Sequence, residues 1–210
     1  MPRVRTKICG ITRIEDALTA ARAGTDAIGL NFFEPSPRYV SLENGKAIAE
    51  ILPAFVNRVG LFVNANAEKI QAVMSTVPLD TLQFHGDETP EFCASFGLPY
   101  VKSVGMRPGV DLSVEAKRYR TAAALLLDQF DRTRWGGTGE QFDWHLVPDE
   151  RPMPLILAGG LSAENVAEAL RKVRPYAVDV SGGVEVSPGV KDPVKIRAFI
   201  RGVASVQHSQ

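Results

Sequence analysis

The sequence predicts a single α/β domain, a closed (β/α)8 TIM barrel with a parallel sheet, and three observations carry that expectation. Short apolar runs alternate with amphipathic stretches from one end of the chain to the other, as parallel strands joined by helical crossovers require. The alternation repeats eight times in 210 residues, whereas an open doubly wound sheet usually has fewer strands in an irregular order. The turn after the first strand, Gly10-Ile-Thr-Arg-Ile, holds one glycine, where a dinucleotide-binding sheet would want a glycine fingerprint.

In order, residues 4–9 read as a strand and 13–23 as a helix stopped by Gly24; 27–32 and 42–51 form the second pair. Residues 57–63 and 67–74 make the third, 81–84 and 90–96 the fourth, 100–104 and 112–119 the fifth. The sixth strand, 122–127, is followed only by a weak helix near 142–146; 154–158 with 163–173 and 176–180 with 193–203 complete the series. The barrel is expected over 1–205, with a polar C-terminal tail at 206–210.

Composition narrows the partners. Lys+Arg and Asp+Glu are equal at 24 each, so neither nucleic acid nor an anionic membrane is expected as the main partner. No apolar run is long enough to span a bilayer, and the charged start Met1-Pro-Arg-Val-Arg-Thr-Lys has no apolar run behind it. Cys9 and Cys93 lie far apart and form no Cys-x-x-Cys unit, which suits reduced thiols in a cytoplasmic protein. The three histidines, His85, His145 and His208, are scattered without ligand spacing, so no metal is expected. Neither a Gly-x-Ser-x-Gly turn nor a P-loop lysine motif is present.

Barrel sites form at the C-terminal ends of the strands, with phosphate on the loops after strands seven and eight. Those loops here are Ala158-Gly-Gly-Leu-Ser and Ser181-Gly-Gly-Val-Glu. Glycines let backbone N–H groups approach an anion closely, and two such loops at this pair of strands favour phosphate binding over mere tight turns.

The ionisable residues at strand ends come next: Cys9 on strand one, Asp128 on strand six, Asp179 within strand eight, Gln83 and His85 sharing a face on strand four, Arg38 after strand two. Strands one and eight are neighbours in a closed barrel. Lys7 and Asp179 are therefore natural partners, either as a structural ion pair or in support of catalysis. Lys7 shares a face with Cys9, and its ammonium is expected to lower the thiol pKa. Asp128 follows three leucines, where poor solvation would favour the neutral acid. A group inclined to lose its proton beside one inclined to keep it makes an acid/base pair. The residue chemistry thus reaches a proton-transferring enzyme acting on a small phosphorylated molecule.

Read together, the segments resemble the phosphoribosylanthranilate isomerase family over essentially the whole chain. The likeness rests on Lys7-Ile-Cys-Gly-Ile-Thr, Ser36-Pro-Arg-Tyr-Val, Gly60-Leu-Phe-Val-Asn, Leu82-Gln-Phe-His-Gly-Asp-Glu, Leu127-Asp, Gly136-Gly-Thr-Gly, Ala158-Gly-Gly-Leu and Val178-Asp-Val-Ser-Gly-Gly-Val-Glu. It implies a cofactor-free isomerase of tryptophan biosynthesis, an aldose–ketose intramolecular oxidoreductase. Its reaction would be the Amadori rearrangement of N-(5-phosphoribosyl)anthranilate to 1-(2-carboxyphenylamino)-1-deoxyribulose 5-phosphate. The resemblance makes Cys9 the general base and Asp128 the general acid. It sets Arg38 at the anthranilate carboxylate and Gln83 and Asp179 along the sugar, with Lys7 counted among the substrate-binding group. Gly160, Ser181, Gly182 and Gly183 would hold the phosphate. Gly182 departs from the family's second serine, removing one hydroxyl from that loop. The role of 129–135 has no readable spacing. A monomer or a homodimer is compatible with the sequence.

Two rival readings are weaker. An indole-3-glycerol phosphate synthase would be expected to carry an extra N-terminal segment, and a dual-substrate sugar-phosphate isomerase an aspartate where Cys9 stands. A non-catalytic phospho-ligand barrel would need the glycine loops but not Cys9 and Asp128 together.

Overall fold

The computed structural model describes residues 3–129 and 142–207. Eight strands close a parallel barrel in sequence order: β1 (Arg5–Cys9), β2 (Ala27–Asn31), β3 (Asn57–Phe62), β4 (Thr81–Phe84), β5 (Tyr100–Met106), β6 (Ala124–Gln129), β7 (Leu155–Leu157) and β8 (Ala177–Val180). Around them run α1 (Ile14–Ala23), α2 (Leu42–Ile51), α3 (Ala67–Thr76), α4 (Pro90–Ala94), α5 (Leu112–Arg118), α6 (Val166–Val173) and α7 (Pro193–Gln207). Among the described residues no helix is long and apolar enough to cross a membrane.

The differences from the expected boundaries have local causes. The weak helix at 142–146 is one 3-10 turn, Trp144–Leu146, capped by the Asp143 carboxylate. The helix expected from 163 starts at Val166 because the preceding turn is organised by Asn165. Its Oδ1 accepts from Ser162 N–H and its Nδ2 donates to the Gly160 carbonyl. The last helix, expected over 193–203, runs to Gln207 and buries Val206. Residues 208–210, with His208, lie outside the described residues. After β8 the chain makes a 3-10 turn, Gly182–Val184, and then an unexpected hairpin, β9 (Glu185–Ser187) with β10 (Val190–Lys191).

Strand parity places the chemistry. Side chains alternate between the faces of a strand, so along β6 Leu125 and Leu127 pack outward with helix residues such as Ala169, Leu170 and Phe199. Ala124 and Leu126 join Val101, Ile156, Ala158 and Ala177 inside the barrel, which puts Asp128 inward at the C-terminal end. The same count turns Lys7 and Cys9 inward from β1, Gln83 and His85 from β4 and its end, and Asp179 from β8. On the outer face Phe32, Phe62 and Phe84 form a ladder with ring centroids 5.6 and 6.4 Å apart.

Helix ends follow from their capping residues. Ser41, Asn66, Thr89 and Asp111 each accept a backbone N–H from the first turn that follows, satisfying donors with no partner inside the helix. Gly24 ends α1 in the left-handed conformation that glycine adopts freely.

Candidate active site

One pocket opens at the C-terminal ends of the strands, and its wall brings together Cys9, Arg38, Gln83, Asp128, Asp179, Gly160, Ser181, Gly182 and Gly183. Nine of the ten residues expected at a site therefore meet around one space. Lys7 is placed otherwise: it lies a layer below the pocket wall, with its ammonium 2.9 Å from Asp179 Oδ2 and both side chains almost wholly buried. The register of the closing strands sets Lys7 directly opposite Asp179. Burial alone would depress the ammonium, but Asp179 and Cys9 together outweigh it and hold it above its usual value. The other oxygen, Asp179 Oδ1, is buried with no hydrogen-bond partner among the described residues.

Cys9 pairs across the sheet with Gly29. A methyl group on Gly29 would stand 2.7 Å from the Cys9 Sγ, so the missing side chain makes room for the sulfur. The expected lowering of the thiol is overturned. Desolvation pushes it above its ordinary value; Lys7 and Lys191 pull it down, but Asp179 pushes it up again. The main cause is burial of the thiol, which the pull of Lys7, opposed in part by Asp179, does not overcome.

Asp128 is buried, as its place after three leucines suggested. Its Oδ1 accepts from the Gln129 N–H at 2.8 Å, and its Oδ2 lies 3.2 Å from His85 Nε2. His85 in turn has Nδ1 3.0 Å from Gln83 Nε2, and its Nε2 is 3.3 Å from Ser103 Oγ. Gln83, expected along a sugar, thus spends its amide nitrogen on His85. Gly159 packs beneath this group: a methyl there would meet the Gln129 nitrogen at 2.9 Å and Asp128 Oδ1 at 3.2 Å.

Arg38 is carried by a loop that Asn31 and Ser36 shape. Asn31 Nδ2 donates to Ser36 Oγ at 3.0 Å, and the same hydroxyl accepts the Arg38 N–H at 3.1 Å. The guanidinium lies against Glu185, with Nε 2.9 Å from Oε1 and Nη2 2.8 Å from Oε2. Lys191, its side chain fully buried, bonds Glu185 Oε1 at 2.7 Å, the Cys9 carbonyl at 2.6 Å and the Ser181 carbonyl at 3.2 Å. Burial would raise the Glu185 carboxyl, but Arg38 and Lys191 outweigh it and hold it below the usual carboxylate range. Behind the wall, burial pulls the Lys191 ammonium below its usual value against the pull of Glu185, so the positive group that lines the pocket here is Arg38, which suits an anionic ligand.

The two glycine loops are pressed together. A methyl on Gly183 would lie 1.9 Å from the Leu161 carbonyl oxygen, so this position admits no side chain without moving the backbone. Gly159 and Gly160 both have positive φ, 74° and 62°, a region that favours glycine. Gly182 has no such constraint, and a methyl there would meet only Arg38 Nη2, at 3.3 Å.

Sequence reasoning missed Glu185, Lys191 and the coupling of His85 to Asp128. The Ser187-Pro-Gly turn, with Gly189 at φ 82°, was the available signal for the hairpin that brings Lys191 under Cys9. Among the described residues no three His, Cys, Asp or Glu side chains gather as a metal ion would need. The Gly136-Gly-Thr-Gly motif and the 129–135 stretch beyond Gln129 lie outside the described residues.

Comparison with known proteins agrees with this fold. The model of the family described as N-(5'phosphoribosyl)anthranilate (PRA) isomerase matches residues 6–202. An N-(5'-phosphoribosyl)anthranilate isomerase of Azotobacter vinelandii is 57% identical over 97% of this chain and 98% of its own. A solved phosphoribosyl anthranilate isomerase in complex with reduced 1-(o-carboxyphenylamino)-1-deoxyribulose 5-phosphate superposes with a TM-score of 0.85. It is 42% identical and covers 96% of this chain and 99% of its own. Monomers generated from the dimeric phosphoribosylanthranilate isomerase of Thermotoga maritima also give a TM-score of 0.85. They are 41% identical and cover 96% of this chain and 99% of their own.

Proposed function

The chain belongs to the N-(5'-phosphoribosyl)anthranilate isomerase family, and on that premise we propose that its pocket carries out the family's Amadori rearrangement by general acid/base catalysis. The protein is an isomerase of tryptophan biosynthesis. The observation that carries the mechanism is that Cys9 and Asp128, three strands apart around the barrel, line one pocket with both glycine loops.

Asp128 gives its proton to the furanose ring oxygen while the anthranilate nitrogen lone pair forms C1=N and the C1–O bond breaks. The open-chain iminium is the electron sink. Cys9, as thiolate, removes the C2 proton, and the C–H electrons become C1=C2 as the iminium nitrogen takes back its pair. The resulting enolamine loses its C2 hydroxyl proton and gains one at C1, which gives the ketone. One proton goes to the ring oxygen and one leaves C2; one goes to C1 and one leaves the hydroxyl, so the reaction is a net isomerisation.

Substrate placement follows the remaining charges. Glu185 occupies the Nε–Nη2 edge of Arg38, which leaves the Nη1–Nη2 edge as a second fork for the anthranilate carboxylate. Asp179 Oδ1, buried and without a partner, is the acceptor for a sugar hydroxyl. Backbone N–H groups of Gly160, Ser181, Gly182 and Gly183 take the phosphate. Lys7 acts from below, fixing Asp179 and biasing Cys9. The chain assembles as a homodimer, like its Thermotoga maritima relative, through a face that includes the fully exposed Phe55 between α2 and β3.

Purified protein incubated with phosphoribosylanthranilate should convert it to the carboxyphenylamino-deoxyribulose phosphate, followed by loss of substrate against appearance of product. Failure to consume the substrate, with the fold intact by circular dichroism, would overturn the assignment.

A further inference from the structure

We propose that His85, its ring tautomer set by Gln83, is the positioning residue that aims the Asp128 proton into the pocket. The inference rests on the reading of Asp128 as the general acid and adds a group whose role that reading leaves open. Gln83 Nε2 can only donate, so His85 Nδ1, 3.0 Å away, must accept, and a neutral ring then carries its hydrogen on Nε2. Nε2–H faces Asp128 Oδ2 at 3.2 Å, with Ser103 Oγ as a second acceptor at 3.3 Å. The other carboxyl oxygen, Oδ1, is held by the Gln129 N–H.

The consequence is directional. A proton on Oδ2 cannot point at the ring, because that would set one donor against another. The remaining direction is the pocket, which Gln83, His85 and Asp128 all line. With the opposite tautomer the ring would accept the acid proton and keep it from the substrate. Once the proton has gone, the same Nε2–H becomes a charge-assisted bond to the new carboxylate. His85 and Asp128 side chains are each only 10% exposed, so water competes little for these bonds.

The test is initial-rate kinetics on four single variants and one double variant. His85→Leu should lower kcat by about tenfold to a hundredfold, the loss of one hydrogen bond to a charged group, with KM within about twofold. His85→Gln, whose amide can donate from near the Nε2 position, should recover most of the loss. Gln83→Leu releases the tautomer and should lower kcat in the same direction; it carries the test if His85→Leu does not fold. In an Asp128→Asn background, removing His85 should cost little more, because it acts through Asp128. The inference is overturned if His85→Leu costs the same in both backgrounds, or if KM carries the loss. It also fails if His85→Gln is no better than His85→Leu. The acid assignment fails separately, and first, if Asp128→Asn alone retains near-full kcat.

Discussion

Arg38 and Glu185 meet edge to edge, through Nε and Nη2 at 2.9 and 2.8 Å, across 147 residues of sequence. The contact orients the guanidinium, and it is itself fixed by Lys191 on the far side of the same carboxylate. Arg38→Ala should therefore raise KM, with a loss of about 1.5–3 kcal/mol in substrate binding. Glu185→Gln should raise KM less, since the fork survives but is no longer aligned. An unchanged kcat/KM in Arg38→Ala would place the anthranilate carboxylate elsewhere.

Cys9→Ser and Asp128→Asn should each lower kcat by roughly 10²–10⁴-fold, with KM nearly constant. Serine keeps the volume but is far harder to deprotonate, and asparagine keeps the shape without an acid proton. A correctly folded Cys9→Ser enzyme with near-full kcat would make the thiol a bystander. Deuterium at C2 of the ribose should give a primary isotope effect on the Cys9 step.

The pH profile separates the neighbours of Cys9 by sign. With a Cys9 thiolate as the proposed base, kcat/KM should rise with pH through the Cys9 titration, which burial moves upward. Lys7 pulls that titration down and Asp179 pushes it up. Lys7→Met should shift the rising limb to higher pH, and Asp179→Asn should shift it to lower pH. Shifts in the same direction would show that the two residues do not act on the thiol through charge.

How much of this was legible beforehand depended on whether the cause was local. Alternation set Lys7 with Cys9 and Gln83 with His85 on shared faces, and Asp128 stood out at the end of strand six, because these are properties of each strand alone. The Lys7–Asp179 pair followed from barrel closure. The direction of the Cys9 shift did not follow, since desolvation, a property of the packed barrel, outweighs the Lys7 charge. Glu185 and Lys191 were missed because their short hairpin lies past the eighth strand and is too brief for periodicity to register, leaving the Ser187-Pro-Gly turn as its signal.

The neighbouring glycines of the eighth loop should behave oppositely. Gly183→Ala forces a methyl to within 1.9 Å of the Leu161 carbonyl oxygen, so both loops must move and inorganic phosphate should bind much more weakly. Gly182→Ser asks only that Arg38 yield by a few tenths of an ångström, and it should fold normally with phosphate affinity kept or improved. Markedly weaker binding in Gly182→Ser would mean that the loop needs glycine there after all.

The proposed homodimer predicts that the unsubstituted protein sediments as a dimer, and that Phe55→Asp leaves the fold and kcat intact but sediments as a monomer. An unchanged sedimentation coefficient would exclude Phe55 from the contact.

The closing seam has a kinetic consequence. Lys7 and Asp179 are 172 residues apart, so no local segment can bring them together, and making the contact closes a loop of nearly the whole chain. Contacts of such long range carry the largest loop-closure cost and form slowly. Until then both side chains remain hydrated. Docking the first strand onto the last is thus the step at which two charges lose their water, and a chain lacking either partner would have to desolvate the other alone. The ion pair behind the pocket doubles as a checkpoint on ring closure, so that the catalytic wall and the finished barrel arise in the same event.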